Sequence, residues 1–301
     1  MNTISIQHLS KSYSGLRAVD DVSIEVPEGT VFGLLGPNGA GKTTTFKCML
    51  GLARPKAGRV LFGGRLLAPN MFEEMAYVPE RSVLYEWMRG SDHLEAQRRT
   101  FARYNAKRAA ELVALFSLDP RKRVRSMSKG MRTAMALVLA FSIEPKILVL
   151  DEPTSGLDPV NQRSVLNLII EAAATGTTIL FSSHQIGQVE RAAEHVAILK
   201  AGKLALTGAV DDLKSQRKIV EGIFESETFS VNGFENDARV SRAEKTGRIL
   251  RLTSRDHSDA LASELVGLGA RGVRVLDLNL EDIFLQAVDP AHDRADIVES
   301  V

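Results

Sequence analysis

Nine consecutive residues, Gly36-Pro37-Asn38-Gly39-Ala40-Gly41-Lys42-Thr43-Thr44, constrain this chain more than any other stretch. They follow an apolar run, Val31-Phe32-Gly33-Leu34-Leu35, and open a predicted helix over residues 43–50. Strand, glycine loop and helix in that order give the pattern G-x-x-x-x-G-K-[ST] its physical sense. Gly36, Gly39 and Gly41 let backbone N–H groups turn inward with no Cβ in the way, and the new helix aims its positive end at the same point. Lys42 would reach the β and γ phosphates of a nucleoside triphosphate, and the Thr43 hydroxyl would hold Mg²⁺. A chance match in an ordinary loop is the rival reading, and the flanking strand and helix weigh against it.

The bulk numbers leave room for one large domain, or a domain and a smaller companion, in 301 residues. Hydrophobic content of 44% and charged content of 25% are those of an ordinary globular protein. No stretch approaches the roughly 20 apolar residues that cross a bilayer, and no signal peptide is read at the start. The single cysteine, Cys48, excludes an internal disulfide framework; it fits a reducing cytoplasm and reads as a small buried residue. Charge divides unevenly: residues 1–220 carry +8 and residues 221–301 carry −7. The change of sign predicts a domain boundary near residues 214–225.

Residues 3–9 and 22–26 alternate as strands, the second ending at the turn Pro27-Glu28-Gly29. Between them Tyr13 is either ordinary packing or a stacking surface for an adenine ring. A short strand and turn are expected over 58–64, a strand at 75–80, and mostly helix over 91–118. Eleven Lys or Arg in the span 98–132, against Glu111 and Asp119 alone, make either a solvated face or an attraction for anionic membrane or nucleic acid. A polar turn at 126–131 leads into a helix through Phe141. Ile147-Leu148-Val149-Leu150 then reads as a strand buried on both faces. A helix over 160–174 and a buried strand over 177–181 follow. Such alternation argues for an α/β core with a largely parallel sheet, and ligands sit at the carboxyl ends of such strands. Past residue 220 a hairpin about Thr246-Gly247, a helix at 259–268, a strand at 273–276 and a helix at 280–287 make a small α+β domain.

The strand ends carry the chemistry. Asp151 would hold Mg²⁺ opposite Thr43, and Glu152 would orient the attacking water as general base. His184, ending a second strand, would contact the γ-phosphate; a satisfied structural histidine is the bland alternative. With these residues on the page, the stretch from about residue 3 to 215 resembles the nucleotide-binding subunit of an ABC transporter. The resemblance implies a P-loop NTPase (RecA-like) core with antiparallel β and α-helical subdomains. It makes residues 1–215 the ATPase domain, with the helical subdomain at about 81–140, and residues 221–301 an accessory α+β domain. It also implies that Tyr13 stacks on adenine, that residues 36–44 form the Walker A loop, and that residues 148–152 form Walker B with Glu152 catalytic. Ser155-Gly156-Leu157-Asp158 stands as the D-loop, so that Asp158 joins the nucleotide site, and His184 as the switch histidine. Ser128-Lys129-Gly130-Met131 stands where the family has its signature, and Glu80 where most members carry the Q-loop glutamine, a metal-side position.

Two departures are visible. Only Ser128 and Gly130 match the commonest signature, LSGGQ, and they keep a hydroxyl and a free N–H at a helix start, aimed at a γ-phosphate; Lys129 adds charge to that contact. Glu80 keeps an oxygen ligand and loses an amide donor. The resemblance further implies ATP and Mg²⁺ as cofactors and a second copy or paralogue that completes each site head to tail. It implies transmembrane permease subunits docked against the apolar residues behind Glu80, Leu84, Tyr85, Trp87 and Met88. The expected place is the cytoplasmic face of a membrane, peripheral and bacterial. The tail, closing on Leu280-Glu281-Asp282-Ile283-Phe284-Leu285, resembles that of ABC-2-type exporter subunits and points to export. The strongest rival is a soluble ABC ATPase acting on nucleic acid, for which the basic span is the best feature. Against it stand the single nucleotide domain and the lack of a long coiled-coil insertion, so no stable nucleic-acid partner is expected. A P-loop kinase leaves the signature, the D-loop and the switch histidine unexplained.

Overall fold

The computed structural model describes residues 2–215, 218–229, 233–234, 237–254 and 257–288. The chain forms two compact units, Met1–Thr207 and Gly208–Val301. The expected accessory domain, 221–301, begins later than the second unit, and its stretch 289–301 lies outside the described residues. Residues 208–215 join the second unit because their helix buries Val210 and Leu213 and packs on the last helix of that unit.

The first unit opens with two long strands, β1 (Asn2–Tyr13) and β2 (Leu16–Pro27). A two-residue turn, Ser14-Gly15, joins them with φ +46° and +89°, the left-handed pair that matches strand twist. Both strands outrun the predicted 3–9 and 22–26. Register shifts between Ile6 and Leu9 and beyond break the strict alternation that sequence reading depends on. Strand β3 (Val31–Leu35) is buried throughout, and α1 (Lys42–Met49) follows the glycine loop. Next come β4 (Ala57–Phe62), β5 (Arg65–Leu66) and β6 (Met75–Val78).

Helices α2 (Gly90–Thr100) and α3 (Ala106–Leu115) fill most of 91–118, the stretch expected to be mostly helical, with a break between them. The break is fastened. Asn105 caps α3 by accepting from the Arg108 N–H at 3.0 Å, and its amide donates to Glu144 at 2.8 Å. Helix α4 (Lys129–Ser142) leads to β7 (Ile147–Asp151), α5 (Pro159–Ala174) and β8 (Thr178–Ser183). Helix α6 (Ile186–Ala192) and strands β9 (His195–Lys200) and β10 (Lys203–Ala209) complete the run.

These strands make two sheets, β2-β1-β4-β5 and β10-β9-β3-β8-β7-β6. The first is antiparallel; in the second, β9, β3, β8, β7 and β6 run parallel. One core joins the sheets through α1, with Ile4, Ile6 and Leu9 of one sheet against Phe46 and Met49 of the helix and Val149 and Leu180 of the other. Burying a side chain such as Phe46 contributes about 2–3 kcal/mol. The core thus clamps the glycine loop between the two sheets. Four of the eleven basic residues of the span are paired with acids: Arg98 and Arg99 with Glu95, Arg108 with Glu171, and Arg132 with Glu86. These pairs fit the solvated-face reading.

The second unit holds α7 (Val210–Ser215), β11 (Lys218–Ile223), β12 (Arg242–Thr246), β13 (Ile249–Ser254), α8 (Ser258–Gly267), β14 (Arg271–Asp277) and α9 (Leu280–Val288). Its antiparallel sheet runs β12-β13-β11-β14, with Val220, Leu250 and Leu252 packed on Leu261 and Leu265 of α8. Among the described residues no helix is long and apolar enough to cross a membrane.

Candidate nucleotide-binding site

The glycine loop leaves β3 and enters α1 through Gly41, which holds φ +105°. A Cβ there would lie 2.4 Å from the Ala18 carbonyl oxygen, so only glycine fits both the torsion and the space. Lys42 is buried and folds back over the loop, its Nζ donating to the Gly36 carbonyl at 2.7 Å. The same ammonium lies 3.6 Å from Glu152 Oε1. A cation is therefore held at the centre of the loop beside a carboxylate, where the phosphate chain of a nucleotide would displace the backbone carbonyl as its partner.

Asp151 closes β7 and is 1% exposed. Its two oxygens accept from Thr43 Oγ1 at 2.7 Å and Ser182 Oγ at 2.6 Å. Ser182 in turn accepts from the Glu152 N–H at 3.0 Å. Glu152 stands at φ +51°, a left-handed conformation that costs a non-glycine residue about 1–2 kcal/mol. Its Oε2 lies 2.8 Å from His184 Nδ1, so the carboxylate is shared between a lysine and a histidine. Parallel pairing of β7 with β8, Asp151 opposite Ser182, brings these groups together across thirty residues of chain.

A cleft of about 750 Å³ gathers Asn38, Gly39, Gly41, Lys42, Thr43, Thr44, Glu80, Glu152 and His184, together with Ser155. Gly36 and Asp151 stand behind it, reached through Lys42 and Thr43. A somewhat larger concavity, about 810 Å³, lies between Arg103, Arg108, Glu144 and Glu171 and holds none of the predicted site residues. Four further predicted residues do not line the cleft: Tyr13, Ser128, Gly130 and Asp158. Tyr13 sits at the tip of the first hairpin, 45% exposed, with the Lys11 ammonium 4.9 Å from its ring centre. Ser128 caps α4, accepting from the Met131 N–H at 3.2 Å. Gly130 packs so tightly that a Cβ would come within 2.5 Å of the Gly156 carbonyl oxygen. Lys129 donates to Ser155 Oγ at 2.8 Å within the chain. Asp158 caps α5, accepting from the Val160 and Asn161 N–H groups, each at 3.0 Å. Hydrogen bonds from Asn161 hold its carboxyl below the usual carboxylate range.

Sequence reading missed Ser182, although its place two residues before His184 on a strand that ends at the site was a usable signal. It also missed Tyr77, whose buried hydroxyl has no hydrogen-bond partner among the described residues. Thr154 and Gln188, joined at 2.7 Å, brace the segment after Glu152 and were likewise unforeseen.

A parallel sheet that presents a phosphate loop, an Asp-Thr oxygen pair and a lysine-flanked glutamate at its strand ends defines a P-loop nucleoside triphosphatase. Comparison narrows the class. Residues 19–155 match the family model described as ABC transporter. The uncharacterized ABC transporter ATP-binding protein YhaQ of Bacillus subtilis (strain 168) is 30% identical over 96% of this chain and 100% of its own. The Nod factor export ATP-binding protein I of Cupriavidus metallidurans is 32% identical over 94% of this chain and 96% of its own. A solved ATP-binding subunit of an ABC transporter superposes with TM-score 0.66 at 32% identity, covering 71% of this chain and 92% of that one. The chain belongs to the ATP-binding proteins of ABC transporters, and it is an ATPase. These relatives are transporter subunits, and the nucleic-acid alternative gains no support from them.

Proposed function

We propose that this chain is the ATP-driven motor of an exporter, working as a head-to-tail pair of nucleotide-binding subunits beneath separate transmembrane subunits on the cytoplasmic face of a bacterial membrane. The observation that carries the pairing is geometric: Ser128 and Gly130, the signature groups, do not line the cleft that holds Lys42 and Glu152. The half-site is incomplete within one chain, and a second copy or a paralogue supplies what is missing. Export is supported by the similarity to the Nod factor export protein over both chains. Tyr85 and Trp87, 61% and 70% exposed, offer an apolar aromatic surface to a helix of the transmembrane partner.

The residues also fit Mg²⁺. Thr43 Oγ1 and the Asp151 carboxylate form a hard-oxygen pair, and Mg²⁺ takes one or two carboxylates plus phosphate oxygens rather than an all-protein cage. These two residues would hold the ion, with Glu80 also lining the cleft, and the ion would supply charge neutralisation for the phosphate chain. Lys42 exchanges the Gly36 carbonyl for phosphate oxygens. Glu152 accepts a proton from the attacking water, and His184 holds the second carboxylate oxygen and reads the γ-phosphate. Ser128 and Gly130 of the opposing subunit close over that phosphate, so ATP is the glue and its hydrolysis to ADP and phosphate opens the pair. Motion follows because the open and closed pairs differ in their affinity for the triphosphate.

Glu152→Gln removes the base and keeps the shape. Turnover should fall by about 10²–10⁴-fold while ATP binding survives and a dimer accumulates on sizing with MgATP. A variant that stays monomeric with ATP would sink the head-to-tail reading.

A further inference from the structure

Tyr77 lies on β6 and pairs in parallel register with Val149 of β7. Its ring packs against the core between the two sheets, on the face that carries Ile147 and Val149. Side chains alternate along a strand, so Asp151, two residues past Val149, emerges on that same face. A diagonal neighbour on an adjacent strand is within reach of an aromatic side chain. The Tyr77 hydroxyl is buried, yet no described residue accepts or donates to it. Native proteins leave few such groups unpaired, and each calls for an explanation. Burial pushes its ionisation up, and the negative charges of Asp151 and Glu80 push it further, so the phenol is a neutral donor throughout the working pH range.

Glu80 is the complementary case. It lines the cleft, is exposed, and its carboxylate has no hydrogen bond from any described residue. A buried donor without an acceptor and an exposed acceptor without a donor are thus separated by Val78 and Pro79 alone. We propose that Tyr77 is a positioning residue of the nucleotide site: with MgATP in the cleft, the Glu80 carboxylate turns inward and accepts a hydrogen bond from the Tyr77 hydroxyl, which fixes it beside Asp151. The inference rests on the reading of Glu80 as a nucleotide-site group. It accounts for a carboxylate where an amide is usual. An ionised Glu only accepts, so it matches a fixed phenol donor, and the charge-assisted bond is stronger than a neutral one.

Thermal unfolding of full-length Tyr77→Phe, with and without MgATP, tests it. Without nucleotide the variant should melt roughly 2–4 °C higher, because the unpaired buried hydroxyl is gone. The rise in Tm on adding MgATP should be smaller than in the parent chain. The same substitution in a Glu80→Ala background should leave the MgATP-induced rise unchanged, since the acceptor is already missing. The proposal is overturned if Tyr77→Phe melts lower without nucleotide, because the hydroxyl then has a structural partner. It is equally overturned if the MgATP-induced rise is unaltered, or shrinks as much in the Glu80→Ala background. The nucleotide-free measurement involves neither hydrolysis nor dimer formation, so its outcome stands apart from that of the Glu152→Gln experiment.

Discussion

Ser182→Ala isolates the one hydroxyl that bonds both Asp151 and Glu152 at the end of β7. Ser182 is fully buried, donates to Asp151 Oδ1 at 2.6 Å and accepts from the Glu152 N–H at 3.0 Å. Losing a hydrogen bond to a charged carboxylate costs about 1.5–3 kcal/mol, and an orphaned buried amide about 1–3 kcal/mol more. The expected destabilisation is therefore about 2.5–6 kcal/mol, a large share of the roughly 5–15 kcal/mol that holds a typical protein folded. Turnover should fall as well. Glu152 is held at φ +51° by this anchor, and a displacement of about 1 Å in a reacting group costs roughly 100-fold. Urea unfolding gives the first quantity and steady-state ATP hydrolysis the second. Ser183→Ala is the control, since that hydroxyl accepts from the Gln185 N–H at 3.0 Å and bonds neither carboxylate. A Ser182→Ala chain within about 1 kcal/mol of the parent and with unchanged kcat would refute the claim that Ser182 holds the pair in place.

Lys129 and Ser155 are joined at 2.8 Å, and Ser155 lines the nucleotide cleft. Lys129→Ala and Ser155→Ala should alter the KM for ATP by a similar factor, and the double variant should be no worse than either single one; additive losses would return Lys129 to a direct phosphate contact. Asp158 caps α5 with a carboxyl held low by Asn161, so its contribution is full above its unfolded value near pH 3.9 and fades as pH falls through the lower folded value. Acid unfolding of Asp158→Asn should differ from the parent less at low pH than at pH 7, and a constant difference would argue that the charge plays no part.

How much was legible follows from how far apart in sequence the cooperating residues lie. The glycine loop and strands β7 and β8 were readable because each is a local signal, a fixed spacing or an unbroken apolar run, and their carboxyl ends delivered Glu152 and His184 to one cleft with Asp151 behind it. The lengths of β1 and β2 were not readable, since their bulges interrupt the alternation between Ile6 and Leu9. The break between α2 and α3 depends on Asn105 meeting Glu144, thirty-nine residues away. Ser182 meets Asp151 only because β7 and β8 pair in one register, and a strand pattern does not announce its register. Lys129 meets Ser155, twenty-six residues on, another contact that no local pattern announces.

At Glu152 the residue was legible and its backbone conformation was not. A residue held at positive φ is ordinarily glycine or asparagine, since a side chain there is strained. Glycine would relax the turn after β7 and would also delete the carboxylate that Lys42 and His184 hold at 3.6 and 2.8 Å. The chain keeps the acid and accepts the strain, offset by the Ser182 anchor on its amide and by the two cationic or donor groups on its oxygens. Local propensity and the chemistry of the site disagree at this position. The disagreement is settled by contacts from β8 and the glycine loop, neither adjacent to Glu152 in sequence, so the sheet must assemble before the carboxylate is in place.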